Sequence, residues 1–369
     1  MVRAIHGRAR SDNRYHAAGK LDALPYAQAM QRRNLPLALG ALLLAGSGYG
    51  LFRASETSSS EGRAAELRWV SFVGACDASG AVPIDERHFA VADDEDNVIR
   101  VYDAVAGGKP VLRTNLSKQI ALAKKGEADI EAATALNGRA YWLSSHARNA
   151  QGEVDPNRSL LITTDLPALD AHLEVQGRVY RRLLDDLEHS PALQRYDLAR
   201  AAALPPKEPG GLNLEGLTAT PEGTLLIGFR SPIPAGKALL VPLLNPDAAV
   251  DGGPLRFGDP IELDLGGLGV RSLSYWRGRY LIAAGPAEGH GPHRLYGWQG
   301  PGARAELLAQ APFANANPEA FFTAESNPEI LVLSDDGNRV VRGKPCKKAH
   351  KHHRRFRGVW LRLPASVAK

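Results

Sequence analysis

Three places in the chain set an acid or an amide one residue apart from a second acid, just ahead of an apolar strand: Asp129 and Glu131, Asn213 and Glu215, and Asn317 and Glu319. Side chains two apart on a strand share a face. If the three segments converge, their carboxylates form one group of oxygen ligands. Such ligands suit a hard divalent cation, calcium above all, and Glu131, Glu215 and Glu319 are the candidate metal ligands. Crowded carboxylates are costly unless a cation or a proton compensates them. Arg230, Arg271 and His146 stand at or just after neighbouring strands and can supply that charge, or clamp an anionic ligand through charge-assisted bonds. A structural reading stays open beside this one: each Glu accepts backbone N–H bonds from the next unit and fixes the spacing between units. The sequence contains no GxSxG, Walker loop or HExxH motif. Ser145 and His146 are sequence neighbours, which strand geometry sends to opposite faces. No catalytic residue is assigned.

The elements that must position these residues repeat. Residues 210–244 hold a short polar start, a Pro-Glu-Gly turn, an apolar strand, a polar loop and a second strand. Residues 128–145, 271–285 and 317–334 share the layout of polar start, tight turn and strand, and residues 77–92 carry a weaker copy. Short strands joined by turn chemistry read as antiparallel meanders, and meanders at a fixed period read as the blades of an all-β propeller. Gly80 to Glu131 is about 51 residues, Glu215 to Ser272 about 57 and Ser272 to Glu319 about 47, close to the roughly 40–50 residues of a four-stranded blade. Glu131 to Glu215 is about 84, which leaves room for a further blade. Six blades are expected, with five or seven as alternatives. Within the long interval Leu183, Leu187, Leu193 and Leu198 follow helical spacing, so a helical insertion is expected over about 181–204, capping one face or offering an edge to a partner. The strands at 66–73 and 358–363 can pair and close the ring from both ends.

Charge is unevenly placed. The net +5 comes entirely from residues 1–63, and residues 342–357 hold eight Lys and Arg and no acid, so the remaining body is near −8. An acidic body argues against general nucleic-acid binding and for cations or cationic partners. The tract Lys344 to Arg357 is rich in His. It reads as an exposed loop, with a transition-metal site on His350, His352 and His353, or contact with acidic lipid or polymer, as alternatives. Asp93 to Asn97 reads as a solvated acidic turn, since it lacks the D-x-D-x-D-G spacing of an EF-hand loop. Two cysteines without a CxxC exclude a thiolate zinc site. Cys76 and Cys346 lie near opposite ends of the folded part, and a propeller brings those ends together, so they are the candidate disulfide.

Residues 1–29 read as an extension, untranslated or disordered. Residues 30–53 carry two arginines and an apolar run, as in an export signal or a membrane anchor, and 54–63 read as a linker. A single propeller domain is expected over 64–369. The compartment that follows is periplasmic or extracellular, with membrane contact only through the N-terminal segment. A monomer is expected, with a small-molecule ligand or a protein partner and no nucleic acid.

The phrases at 129–158, 212–232, 271–286 and 317–322 resemble a family of bacterial propellers known as domain of unknown function 3616, over roughly Val73 to Leu363. That family is more distantly similar to phytase-like esterase propellers. The resemblance implies a phosphoric ester hydrolase that holds its substrate through calcium or another divalent cation at the channel mouth, with Asp129, Glu131, Glu215 and Glu319 as the inheriting positions. A non-catalytic interaction scaffold is the alternative.

Overall fold

A computed structural model describes residues 67–122, 126–149, 151–309 and 316–363, all within the compact unit Gly62–Lys369. The extension, the export segment and the linker expected over 1–63 lie outside the described residues.

Five antiparallel sheets follow one another along the chain. Blade 1 is Ala81–Pro83, His88–Val91, Val98–Asp103 and Leu112–Asn115. Blade 2 is Ile130–Leu136, Arg139–Ser144 and Leu161–Asp165. Blade 3 is Asn213–Ala219, Leu225–Ser231, Ala238–Leu243 and Ile261–Leu263. Blade 4 is Gly269–Trp276, Arg279–Gly285, Arg294–Trp298 and Glu306–Ala309. Blade 5 takes Pro318–Phe322, Glu329–Ser334 and Arg355–Arg362 from the C-terminal end and Arg68–Val73 from the other. That last strand pairs antiparallel with Arg355–Arg362, Phe72 opposite Phe356, so strands from both ends close the ring as expected. The first strands of blades 1 to 5 touch in cyclic order, the fifth returning to the first. This is an all-β propeller.

The ring has five blades where six were expected. The interval between blades 2 and 3 supplies no sixth sheet. Val175 and Tyr180 make single bridges to the outer strand of blade 2, giving that blade a broken fourth strand. The helices Leu183–His189 and Leu198–Ala202 then follow, with the 3-10 turn Pro191–Tyr196 between them. Leu183, Leu187, Leu193 and Leu198 are buried in one cluster with Tyr141 and Leu143 of blade 2 and Leu217 and Ile227 of blade 3. At ~1.5–3 kcal/mol for each buried leucine, this burial holds the insertion in the gap between two blades.

Each of the other four gaps has its own apolar cluster. Phe72, Phe89, Tyr102, Phe322 and Phe356 fill the one where the ring closes, with Phe72 stacked on Phe356 at 4.8 Å. Strand alternation explains this: both faces of a blade meet a neighbouring blade, so the middle strands read as nearly continuous apolar runs such as RYLIAAG in blade 4.

Candidate functional site

Four of the five innermost strands bulge at the same place. The pairing register skips one residue at Glu131, Glu215, Arg271 and Glu319. In blade 1 Ala81 pairs with Val91 and the Ala92 N–H donates to Gly80, so the matching place holds Gly80 and no side chain. A bulge re-aims its extra residue, and the charged groups of blades 3, 4 and 5 meet at one end of the channel. Arg271 Nε lies 3.2 Å from Glu215 Oε2, and Arg271 Nη2 pairs with Glu319 Oε1. Arg230 Nη1 is 2.8 Å from Glu215 Oε1, which also accepts from Asn213 Nδ2 at 2.7 Å. The side chains of Arg271, Glu215 and Glu319 are 7%, 3% and 9% exposed. Burial lowers the Arg271 pKa, and Glu215 outweighs burial at Arg230 and raises it. These two glutamates are therefore neutralised within the chain.

The residues at or just after the end of the second strand of each blade turn to the same rim. Asp93 and Asp94 do so in blade 1, Ser145 and His146 in blade 2, Arg230 and Ser231 in blade 3, Gly285 in blade 4, and Asp335 and Asp336 in blade 5. The acidic turn at 93–97 is thus not simply solvated. Asp93 is buried and accepts the N–H groups of Cys76 and Glu95, because its strand delivers it under the closing blade. Asp94 Oδ1 is buried with no hydrogen-bond partner. Carboxylate oxygens of Asp94, Asp129 and Glu131 lie within 4.8 Å of one another, and so do those of Asp77, Asp94 and Glu95. Burial first, then the neighbouring acids, push Asp94 and Glu131 well above the usual carboxylate range. Asp93 is pushed up to about 6 by burial and by Asp96.

Cations near this group are few. Arg158 Nη1 pairs with Asp129 Oδ2 at 2.9 Å, and Lys347 Nζ with Glu95 Oε1 at 3.0 Å. Ser145 Oγ also donates to Asp129. Asp77 and Asp335 share a hydrogen bond; burial and that bond hold the Asp77 proton on. At Asp335 the same bond and the Gly337 N–H outweigh burial and lower the pKa. A Cβ on Gly337 would lie 2.2 Å from Asp77 Oδ1, so this approach requires glycine.

The backbone is itself unusual at the rim: Asp129 has φ of 50° and His146 55°, a left-handed conformation that costs a non-glycine residue about 1–3 kcal/mol and clusters at functional sites. His146 is buried and donates Nδ1–H to Ser144 O at 2.8 Å, with Nε2 left as an acceptor. Burial lowers its pKa to about 4, so the ring is neutral and gives the carboxylates no counter-charge. Asn317 donates to Asp335 O at 3.2 Å.

All nine candidate residues read from the sequence therefore lie at one rim, seven of them in two groups, with His146 and Asn317 bonded to backbone carbonyls beside them. Asn213, Glu215, Arg230, Arg271 and Glu319 form an ion-paired network. Asp129 and Glu131 join Asp94 in an acidic group, so the close trio is Asp94, Asp129 and Glu131, while Glu215 and Glu319 face arginines. Asp77, Asp94, Asp335, Arg158 and His293 were missed. The doubled acids at 93–94 and 335–336, each just after a second strand, were a usable signal for two of them, Asp94 and Asp335. His293 carried none: it follows a glycine-rich loop and reaches the rim by packing on Gly285 and Arg271. Burial, then Arg271 and Arg230, lower its pKa to about 4.

At the other end the channel opens into a cavity of about 390 Å³, with Thr134, Thr218, Ser274 and Thr323 around it. Thr134 accepts the Ala219 N–H at 3.0 Å and Thr218 the Tyr275 N–H at 2.9 Å. The inter-blade spacer role considered for the glutamates is thus filled there by hydroxyls.

Cys76 and Cys346 form a disulfide across 270 residues, with Cα atoms 5.8 Å apart, a bond that persists in oxidising compartments. No helix among the described residues is long and apolar enough to cross a membrane.

The model of the family described as protein of unknown function (DUF3616) matches residues 167–319, from ahead of the helical insertion to Glu319 of the fifth blade. This bears out the family resemblance. Among curated proteins none matches the chain. The chain is similar to the PQQ-bound aldose sugar dehydrogenase from Streptomyces coelicolor (11% identity, 80% of this chain and 99% of that one, TM-score 0.40). It is also similar to the glutaminyl cyclase of Myxococcus xanthus (14%, 80% and 95%, TM-score 0.43) and to virginiamycin B lyase from Staphylococcus aureus (10%, 80% and 100%, TM-score 0.34). Likeness this shallow carries no chemistry across.

Proposed function

We propose that this chain is an exported propeller that binds a small anionic ligand at its axial rim through a divalent cation, with phosphate-ester hydrolysis as the activity to test. One observation supports the reading above the rest: three carboxylates, Asp94, Asp129 and Glu131, approach within 4.8 Å while one buried Asp94 oxygen has no partner. Like charges so placed must share protons or a cation. An all-oxygen donor set of this kind fits calcium or a similar hard ion, with Asp94, Asp129 and Glu131 as the residues that would hold it. When bound, such an ion neutralises phosphate oxygens and polarises the ester. On the opposite side of the rim Arg230, whose side chain is 15% exposed, and the neutral His293 can meet the ligand, Arg230 as an anion donor and His293 as a hydrogen-bonding group. Arg271 acts through Glu215 and Glu319, keeping both glutamates from competing for the ion.

Export is supported by the disulfide. The scaffold alternative draws on the basic loop near residue 350 and would leave the rim as a purely structural charge network. Thermal melts with and without calcium, beside turnover of a chromogenic phosphomonoester, separate the two. A calcium-dependent rise in Tm that Glu131→Gln abolishes is the expected result. No shift with calcium, magnesium or manganese, together with no turnover, would sink the cation reading.

A further inference from the structure

Residues 342–357 form the most strongly charged patch on the chain, with eight Lys and Arg, three His and no acid. Among the described residues the fold leaves half of these eight cations without a carboxylate or backbone partner. Arg342, Lys344, Lys348 and Lys351 are exposed, and among the described residues none of the four meets a carboxylate, although the body has acids to spare. A run of like charges without internal partners raises the energy of the free protein, and it falls only when an anion arrives.

The patch is also held in one shape. The disulfide to Cys76 anchors it at the rim. The Cys346 and Lys347 N–H groups donate to Arg339 O and Gly337 O at 2.9 and 3.1 Å. Arg354 Nη2 donates back to Lys347 O at 2.8 Å, and Gly74 N–H to Arg354 O at 2.8 Å. His352 lies against both His350 and His353, with ring centroids 4.1 and 3.9 Å apart. Cationic side chains carried on a fixed backbone lose less freedom on binding than those on a loose tail.

We infer that this disulfide-anchored loop is a docking site for a flexible linear polyphosphate chain. Shape selects the chain over a flat anionic surface. Lys347 holds Glu95 at 3.0 Å, and Glu95 is exposed at the rim, so a flat sheet laid on the loop would also press on rim acids. A narrow chain can follow the cations alone. The loop's one Phe, Phe356, is buried, so residues 342–357 themselves offer no aromatic anchor to a bilayer.

The test is binding of inorganic polyphosphate to the full chain, followed by fluorescence anisotropy at low and moderate ionic strength. Wild type is expected to bind and to weaken steeply with salt. The double variant Lys348→Glu/Lys351→Glu is expected to bind roughly tenfold more weakly or worse, and the neutral pair Lys348→Gln/Lys351→Gln to fall between the two. Both variants are checked for an unchanged melt and for the same response to calcium as wild type, which separates this loop from the axial site. Equal polyphosphate affinity in wild type and the double Glu variant would overturn the inference. So would binding to phosphatidylglycerol vesicles without binding to polyphosphate.

Discussion

The two halves of the axial rim are built from one backbone device and behave in opposite ways. On the side of blades 3 to 5 the bulges present Glu215, Arg271 and Glu319, and the charges cancel across adjacent blades. On the side of blades 1 and 2 the same register presents Gly80 and Glu131, and the strand ends add Asp94 and Asp129. That side holds an acidic group compensated only in part, by Arg158 on Asp129. The repeat decides where the side chains arrive, and residue identity decides whether the place is structural or available to a ligand.

Four measurements can break or sharpen this contrast, the largest effect first. Arg271→Met should cost about 3–5 kcal/mol in chemical denaturation, because two buried carboxylates lose their common cation; adding Glu215→Gln and Glu319→Gln should recover much of that. If Arg271→Met is nearly neutral, the paired half is not held by its charges. Calcium should stabilise wild type by about 2.7 kcal/mol at a hundredfold excess over Kd. The gain should vanish in Glu131→Gln and persist in Glu319→Gln, and equal loss in both would erase the distinction between the halves.

The third measurement is the pH profile without added cation. Asp93 is lifted to about 6 by burial, so above about pH 4 the folded protein keeps a proton that the unfolded chain has lost. A pKa raised by folding contributes stability that is greatest below the unfolded value and is lost as pH rises through the folded one. Stability should therefore fall by roughly 1–3 kcal/mol between about pH 4 and 6, with Asp94 and Glu131 extending the decline upward. A profile that rises through this window would contradict it. Smallest is Lys347→Met. Lys347 pairs with Glu95 and also raises the local positive field at Asp77 and Asp94. Its loss should change stability by about 0.2–1 kcal/mol and tighten calcium binding a few-fold in a calcium titration. Weaker binding would place Lys347 among the groups that support the ion.

Much of this was open to reading along the chain. A meander leaves local marks: turn residues at Pro221 to Gly223 and Asn137 to Gly138, apolar runs of strand length, and a polar or charged start before each run. The helical spacing of Leu183, Leu187, Leu193 and Leu198 is equally local, because it records which side of a short helix meets apolar atoms. Closure by the end strands and the pairing of Cys76 with Cys346 followed from the propeller once it was inferred.

What only the tertiary structure decided concerns distances between blades. Five blades or six turned on whether residues 166–206 form a sheet or fill a gap, and the apolar leucines satisfy either pattern. The partition of the carboxylates turned on which blade faces which: Glu215 and Glu319 look alike to Glu131 along the chain, and only the placement of Arg271 between them makes them partners. The inward turn of Asp93 and Asp94 and the arrival of His293 depend on the angle at which one strand end meets the next blade. Local propensity reads the bonds and burial a segment makes with itself, whereas charge compensation depends on separations of a few ångströms between residues far apart in sequence, which come into being only when the ring closes.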